Sequence, residues 1–141
     1  LPDKFESGTP NIVGIISLIN SIDFIRENNI KNIYNHEMKL LKYLQYNLLN
    51  EEKIIFYTNL LDNRKFYAPI LSFNINNKQS EEVAALLSND EIAVRAGLHC
   101  APLAHKSMKT IKTGTVRISP SIFTEKKDID FLINSLRKIA K

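Results

Sequence analysis

Arg95-Ala-Gly-Leu-His-Cys-Ala-Pro-Leu103, followed by Gly114-Thr-Val-Arg-Ile-Ser119, is the part of this chain around which the rest organises. The apolar run Ile92 to Arg95 leads into the first stretch and reads as a strand, and Thr115 to Ser119 reads as the next. Between them, Leu98 to Thr113 begins after Gly97, contains Pro102 and shows no clear periodicity. A long connection between two short strands is where active-site loops sit. This one carries Cys100, the only cysteine of the chain, beside His99 and near two cations, Arg95 and Arg117. A lone cysteine reads first as a small buried hydrophobe. A thiol next to a histidine and near two guanidinium groups has instead the setting in which the nucleophilic thiolate is accessible near neutral pH.

Working outward, residues 1–10 are polar and proline-bounded and read as an extended lead-in. Ile12, Ile15, Ile16, Ile19, Ile22 and Ile25 then recur at helical spacing, with Asn28-Asn29 as the stop. A second amphipathic helix carries Ile33, Leu40, Leu41, Leu44 and Leu48. Both stripes read as core packing. Lys53 to Thr58 and Ala68 to Asn74 have strand character, separated by a polar loop from Asn59 to Lys65. Ser80 is placed to cap a short helix with Val83, Leu86 and Leu87 on its inner side. Thr124 is placed to cap a last one, striped by Ile129, Leu132, Ile133, Leu136 and Ile139. The order helix–helix–strand–strand–helix–strand–strand–helix predicts an α+β fold, a small, mostly antiparallel sheet of about four strands with helices packed on one face.

At 141 residues the chain fits a single domain, residues 1–141, able to bury a core without covalent staples. A single cysteine excludes an internal disulfide framework and a multi-cysteine metal site, and fits a reducing, cytoplasmic compartment. His36, His99 and His105 lack metal-ligand spacing, so no metal is expected. The net charge of +4 comes from lysines scattered among acids and asparagines, which argues against nucleic acid as a partner. The longest apolar run, Ile12 to Ile19, is too short to span a bilayer. The chain starts at Leu1 without a signal-like segment, which suggests a piece of a longer protein.

Three separated segments together resemble the C-terminal small domain of class V aminotransferase family proteins, most closely the Suf-type (group II) cysteine desulfurases and their selenocysteine lyase kin. Phe5-Glu-Ser-Gly-Thr-Pro-Asn11 resembles the segment that opens the long helix into that domain. Arg95-Ala-Gly-Leu-His-Cys100 resembles the family's catalytic segment, and Gly114-Thr-Val-Arg-Ile-Ser119 resembles its R-x-S strand. The resemblance implies a pyridoxal 5'-phosphate enzyme acting on L-cysteine, the cofactor serving as electron sink. It implies that Cys100 is the catalytic thiolate, which takes the substrate sulfur as a persulfide while alanine is released. Arg117 is implied to clamp the substrate carboxylate through its planar fork. Arg95 and His99 are implied as further substrate-side residues, His99 either tuning the thiol or only packing. Gly8 and Thr9 are implied to contact the cofactor phosphate of a neighbouring subunit, hence a homodimer. A separate sulfur-acceptor protein is a further implied partner.

The family's cofactor lysine, its pyridine-facing aspartate and its ring-stacking histidine belong to a large domain that would precede Leu1. Lys106 and Lys109 sit in the cysteine loop and stand in for none of them. The 141 residues alone are therefore expected not to turn over cysteine. Three readings stay open from sequence. They are a cysteine desulfurase, a selenocysteine lyase or aminotransferase in which Cys100 accepts no sulfur, and a non-catalytic α+β interaction domain that keeps the fold.

Overall fold

The structure, a computed structural model, describes residues 8–62 and 67–141. Phe5 to Ser7, and the end of the loop expected over Asn59 to Lys65, lie outside the described residues. Two compact units divide the chain, Leu1–Ile33 and Tyr34–Lys141. Among the described residues no helix is long and apolar enough to cross a membrane.

Helix α1, Ile12–Asn28, starts where Asn11 accepts the Gly14 backbone N–H on its side-chain oxygen at 2.9 Å. It stops at Asn29, whose φ of 60° breaks the helical run as the Asn-Asn pair suggests. The expected burial of its isoleucine stripe is not found, for α1 buries none of its residues. Val13, Leu18 and Phe24 are apolar and exposed as well, so α1 is apolar around much of its circumference rather than along one core-facing stripe.

Helix α2, Ile30–Asn47, does bury its stripe, with Leu41 and Leu44 wholly enclosed and Leu48 just beyond the helix. Four strands follow: β1 Ile54–Phe56, β2 Leu71–Ile75, β3 Arg95–Gly97 and β4 Thr115–Ile118. They form one antiparallel sheet in the order β1-β2-β4-β3. Period-two alternation sorts its side chains. Leu71, Phe73, Ile75, Val116 and Ile118 are buried together with the inner residues of α2, of α3 (Ser80–Asn89) and of the last helix (Lys126–Ile139). Phe73 faces Val116 on one side and Phe56 on the other, its ring 6.3 Å from that of Phe56. Burying such aromatic and branched side chains contributes about 1.5–3 kcal/mol each. The opposite face carries Ser72, Asn74, Thr115, Arg117 and Arg95, the polar half of the alternation. The α+β class, with an antiparallel sheet of four strands, is as the pattern predicts.

Local departures have local causes. Ile92 to Val94 is not a strand. The Ile92 N–H bonds back to the Leu87 carbonyl at 2.9 Å, winding off α3, so pairing with β4 starts only at Arg95. The segment between β3 and β4 contains an unforeseen short helix, α4, Pro102–Ser107, with proline in its first turn, where it costs no hydrogen bond. The last helix is therefore α5. Ser80 is the first residue of α3 rather than its cap. Its buried hydroxyl donates to the Thr113 carbonyl at 2.7 Å, tying α3 to the strand β4 that follows. Leu86, expected inside, is exposed. The cap of α5 is Glu125, in a reciprocal capping box with Asp128. Thr124 instead accepts the Ser121 N–H.

One close crossing positions everything on the polar face. Gly97 (φ 100°) ends β3 and Gly114 (φ 58°) precedes β4, and a Cβ on Gly114 would lie 2.7 Å from the Gly97 Cα and 2.8 Å from the Ser80 hydroxyl. Both the left-handed backbone and the contact therefore require glycine there. Replacing Gly114 with alanine is expected to destabilise the domain by about 2–4 kcal/mol, strain and overlap together. Chemical denaturation of the substituted and unsubstituted protein reads the difference.

Candidate active site

The chain between the two glycines returns to the sheet through a tight turn. The Ala101 N–H bonds to the Leu98 carbonyl at 2.8 Å across His99 (φ 50°) and Cys100 (φ 58°). Two successive left-handed residues are the pattern of a type I′ turn, which favours Asn, Asp and Gly. Histidine and cysteine there cost about 1–2 kcal/mol each. The strain is held by His99, whose Nε2–H donates to the Thr115 carbonyl at 3.0 Å. That bond ties the turn to β4, the strand that carries Arg117. The turn leaves Cys100 exposed to solvent.

Because a carbonyl only accepts, the His99 proton sits on Nε2 and the neutral ring leaves Nδ1 as a bare acceptor. Nδ1 is buried without a hydrogen-bond partner, and so is the Nε of Arg117. Burial holds His99 below its ordinary value of 6.5, the Thr115 carbonyl opposes this, and the charges of Arg117, His105 and Arg95 add to the lowering. An orphaned buried acceptor and an orphaned buried donor on one face mark a place that a ligand completes.

His99 and Arg117 both line a cavity of about 390 Å³, with Tyr57, Thr58, Ser72, His105 and Thr115 among its other walls. Arg95 lies directly across from Arg117 in the β3–β4 register, and Ser72 faces Arg117 from β2. Like charges directly opposed on neighbouring strands repel, yet neither arginine makes an ion pair among the described residues. Such a pair is prepared for an anion. Of the sequence-predicted residues, His99 and Arg117 therefore meet at the cavity, while Arg95 and Cys100 stand beside it without lining it. Gly8 and Thr9 are exposed in the lead-in to α1, in the other unit. A Cβ on Gly8 would meet nothing within 4 Å. That space and the Thr9 hydroxyl suit contact with a phosphate, without demanding glycine.

Sequence reasoning missed the rest of the cavity wall. Thr115 shares the parity of Arg117 and was legible in principle. His105 was not: it is buried because α4 folds over the polar face, its Nδ1 2.8 Å from the Thr110 hydroxyl and its ring 5.9 Å from that of His99. Gln45 was missed too. This buried amide donates to the Thr58 carbonyl at 2.6 Å and accepts the Leu60 N–H at 2.8 Å, and so fixes the wall after β1. No cluster of three or more metal-ligating side chains occurs among the described residues. A larger cavity, about 460 Å³, lies against α5 between Ile92, Val94, Ile118 and Phe131. Its lining includes no histidine and no arginine.

Known proteins resemble this chain over nearly its whole length. The sequence pattern of the family described as aminotransferase class-V matches residues 1–132. A cysteine desulfurase of Wigglesworthia glossinidia brevipalpis is 35% identical over 143 residues, covering 100% of this chain and 33% of its own length. A probable cysteine desulfurase of Methanothermobacter thermautotrophicus is 39% identical over 141 residues, 99% of this chain and 34% of its own. The apo structure of a cysteine desulfurase from Thermococcus onnurineus NA1 superposes with a TM-score of 0.85 at 32% identity, over 99% of this chain and 34% of that one. The chain thus spans about a third of the length of the relatives it matches.

Two measurements test the local geometry. Glycine at position 100 relieves the left-handed strain and alanine does not, so Cys100→Gly is expected to be more stable than Cys100→Ala by about 1 kcal/mol. Thermal unfolding of the pair checks it. For His99, the folded ring binds its proton less readily than the unfolded one. Its contribution to stability is complete above about pH 6.5 and is lost as pH falls through the folded value. His99→Asn, which can still donate to the Thr115 carbonyl, is expected to flatten that part of the stability–pH curve.

Proposed function

The chain belongs to the aminotransferase class-V family, and from that premise we propose that it carries the thiol and the carboxylate clamp of a cysteine desulfurase. The observation that carries the proposal is the pair of unpaired arginines, opposed across β3 and β4, beside an exposed thiol on a strained turn. L-Cysteine is the proposed substrate. Arg117 binds its carboxylate, the buried Nε and the rest of the guanidinium fork supplying parallel donors, while Arg95 adds charge from the facing strand. His99 stays neutral, accepts on Nδ1 and keeps the turn in place through Thr115.

Cys100 acts as the thiolate. It attacks the substrate sulfur, a sulfur–sulfur bond forms, and the substrate carbon–sulfur bond breaks. The electron pair of that bond remains with the carbon, which takes a proton to become alanine. Cys100 is left as a persulfide, and no external oxidant or reductant enters. Pyridoxal 5'-phosphate, when bound, supplies the electron sink that makes the substrate sulfur open to attack. Gly8 and Thr9 are proposed to contribute donors to its phosphate, across a homodimer of the whole protein. The exposed setting of Cys100 suits a residue that must next hand sulfur on.

Desulfuration is proposed for the whole protein, since these residues correspond to about a third of its relatives. Alone, they are expected to release no alanine. Given L-cysteine and a thiol reductant, the whole protein is expected to form alanine and sulfide in equal amounts, and Cys100→Ala to abolish both. Arg117→Lys retains the charge but loses the fork, and is expected to raise KM for cysteine by about 10–100-fold. Alanine formation indifferent to Cys100 would instead assign the protein to another branch of the family.

A further inference from the structure

Helix α4 buries the opposite of what its composition predicts. Its one buried residue is His105, 7% accessible, while Leu103 on the same helix is 81% accessible and Met108 at its end is half exposed. Burying an imidazole where a leucine was available forgoes apolar burial and costs the desolvation of two ring nitrogens. Such an inversion is expected where a side chain serves a site rather than the core. His105 lines the cavity of about 390 Å³ that His99 and Arg117 also line.

Its hydrogen bonds place the proton on the ring. Nδ1 is 2.8 Å from the hydroxyl of Thr110, itself a buried residue. The other acceptor near that hydroxyl, the His105 carbonyl, is 3.5 Å away and already takes the Thr110 N–H at 2.8 Å. The hydroxyl therefore donates to Nδ1, and the neutral ring carries its hydrogen on Nε2. Nε2 has no partner among the described residues and, unlike the Nε of Arg117, is not sealed from solvent. In a ring so enclosed, the cavity it lines is where that N–H opens. His99, its ring 5.9 Å away, is arranged the other way. Its proton goes to the Thr115 carbonyl, and only an acceptor is left.

We propose that His105 is a further substrate-binding residue, whose Nε2–H donates to the carboxylate that Arg117 clamps while Thr110 holds the ring in the donating tautomer. The inference rests on the reading of this cavity as the carboxylate site of a cysteine desulfurase. A neutral donor strengthens the hold on an anion without adding a third positive charge beside Arg95 and Arg117, which already repel each other across β3 and β4. Arg117 brings charge from the sheet, and His105 brings direction from the helix above it.

The test measures binding to the whole holoenzyme by calorimetry and so does not depend on turnover. Its probe is 3-mercaptopropionate, which has the thiol and carboxylate of cysteine but no amino group, and its methyl ester is the uncharged reference. The double variant His105→Leu with Thr110→Val removes the donor together with the hydroxyl that would be stranded beside it. It is expected to weaken binding of the acid about 10–100-fold and of the ester by less than about threefold. Its melting temperature is expected to be no lower than that of the unsubstituted protein, since both partners of a buried hydrogen bond become apolar. His105→Gln, whose amide can still donate, is expected to recover most of the affinity for the acid. Thr110→Val alone is expected to weaken the acid about threefold, because nothing then holds the proton on Nε2, and Thr110→Ser to leave it unchanged.

Equal weakening of acid and ester would show a packing role and overturn the proposal. So would full affinity of the double variant for the acid, whatever its stability. If the double variant does not fold, the two Thr110 variants decide: equal affinity for the acid counts against the proposal, and a difference supports it. Failure of the desulfurase reading is seen separately, as absence of alanine from cysteine while the preference for acid over ester still depends on His105.

Discussion

The crossing of Gly97 over Gly114 is the constraint on which the active face depends. A Cβ on Gly114 would collide there with the Gly97 backbone, while Gly97 itself holds a φ of 100° that favours glycine. The contact brings the end of β3 and the beginning of β4 together at the foot of one loop. From that foot, the His99 bond to the Thr115 carbonyl carries the constraint to the thiol, and strand register carries it to Arg117. Thiol and cation are thereby referred to the same strand, β4. The bond from His99 to Thr115 opposes release of the strain in the left-handed His99–Cys100 turn, and the crossing keeps its two ends in reach of each other.

Electrostatics completes what the backbone begins. The apolar face of the sheet is closed by α2, α3 and α5, so polar side chains collect on the other face by alternation alone. Arg95 and Arg117 then lie side by side without a carboxylate, an arrangement that costs stability and favours an anion. His99, kept neutral by its surroundings, adds an acceptor where a third cation would only increase the repulsion. The α4 segment, which contains no acidic residue, lines part of the cavity and carries its lysines exposed to solvent.

What the sequence determined by itself was the fold class, most elements and the candidate catalytic residues. Period-two alternation in β2 and β4 and helical stripes in α2 and α5 are local signals, since each depends only on which way neighbouring side chains point. The motifs around Cys100 and Arg117 were legible because glycine, proline and a sole cysteine are informative wherever they stand. Element ends were less so. The backbone bond from Ile92 to Leu87, and the capping box that makes Glu125 rather than Thr124 the helix start, depend on competition among near-equivalent local choices. The exposure of α1 was likewise hidden, because an apolar helix announces that it needs cover, not what provides it.

Only the tertiary structure decided which of these residues meet. Thr115 accepts from His99, and His105 becomes buried beside it, because α4 folds back over the polar face of the sheet. The left-handed turn at His99 and Cys100 opposes local propensity and exists because bonds from distant strands hold it. Sequence records side-chain chemistry and short-range period. The pairing of Arg95 with Arg117, the orphaned Nδ1 and the closed foot of the loop arise from contacts between residues far apart in the chain, whose geometry no local pattern encodes.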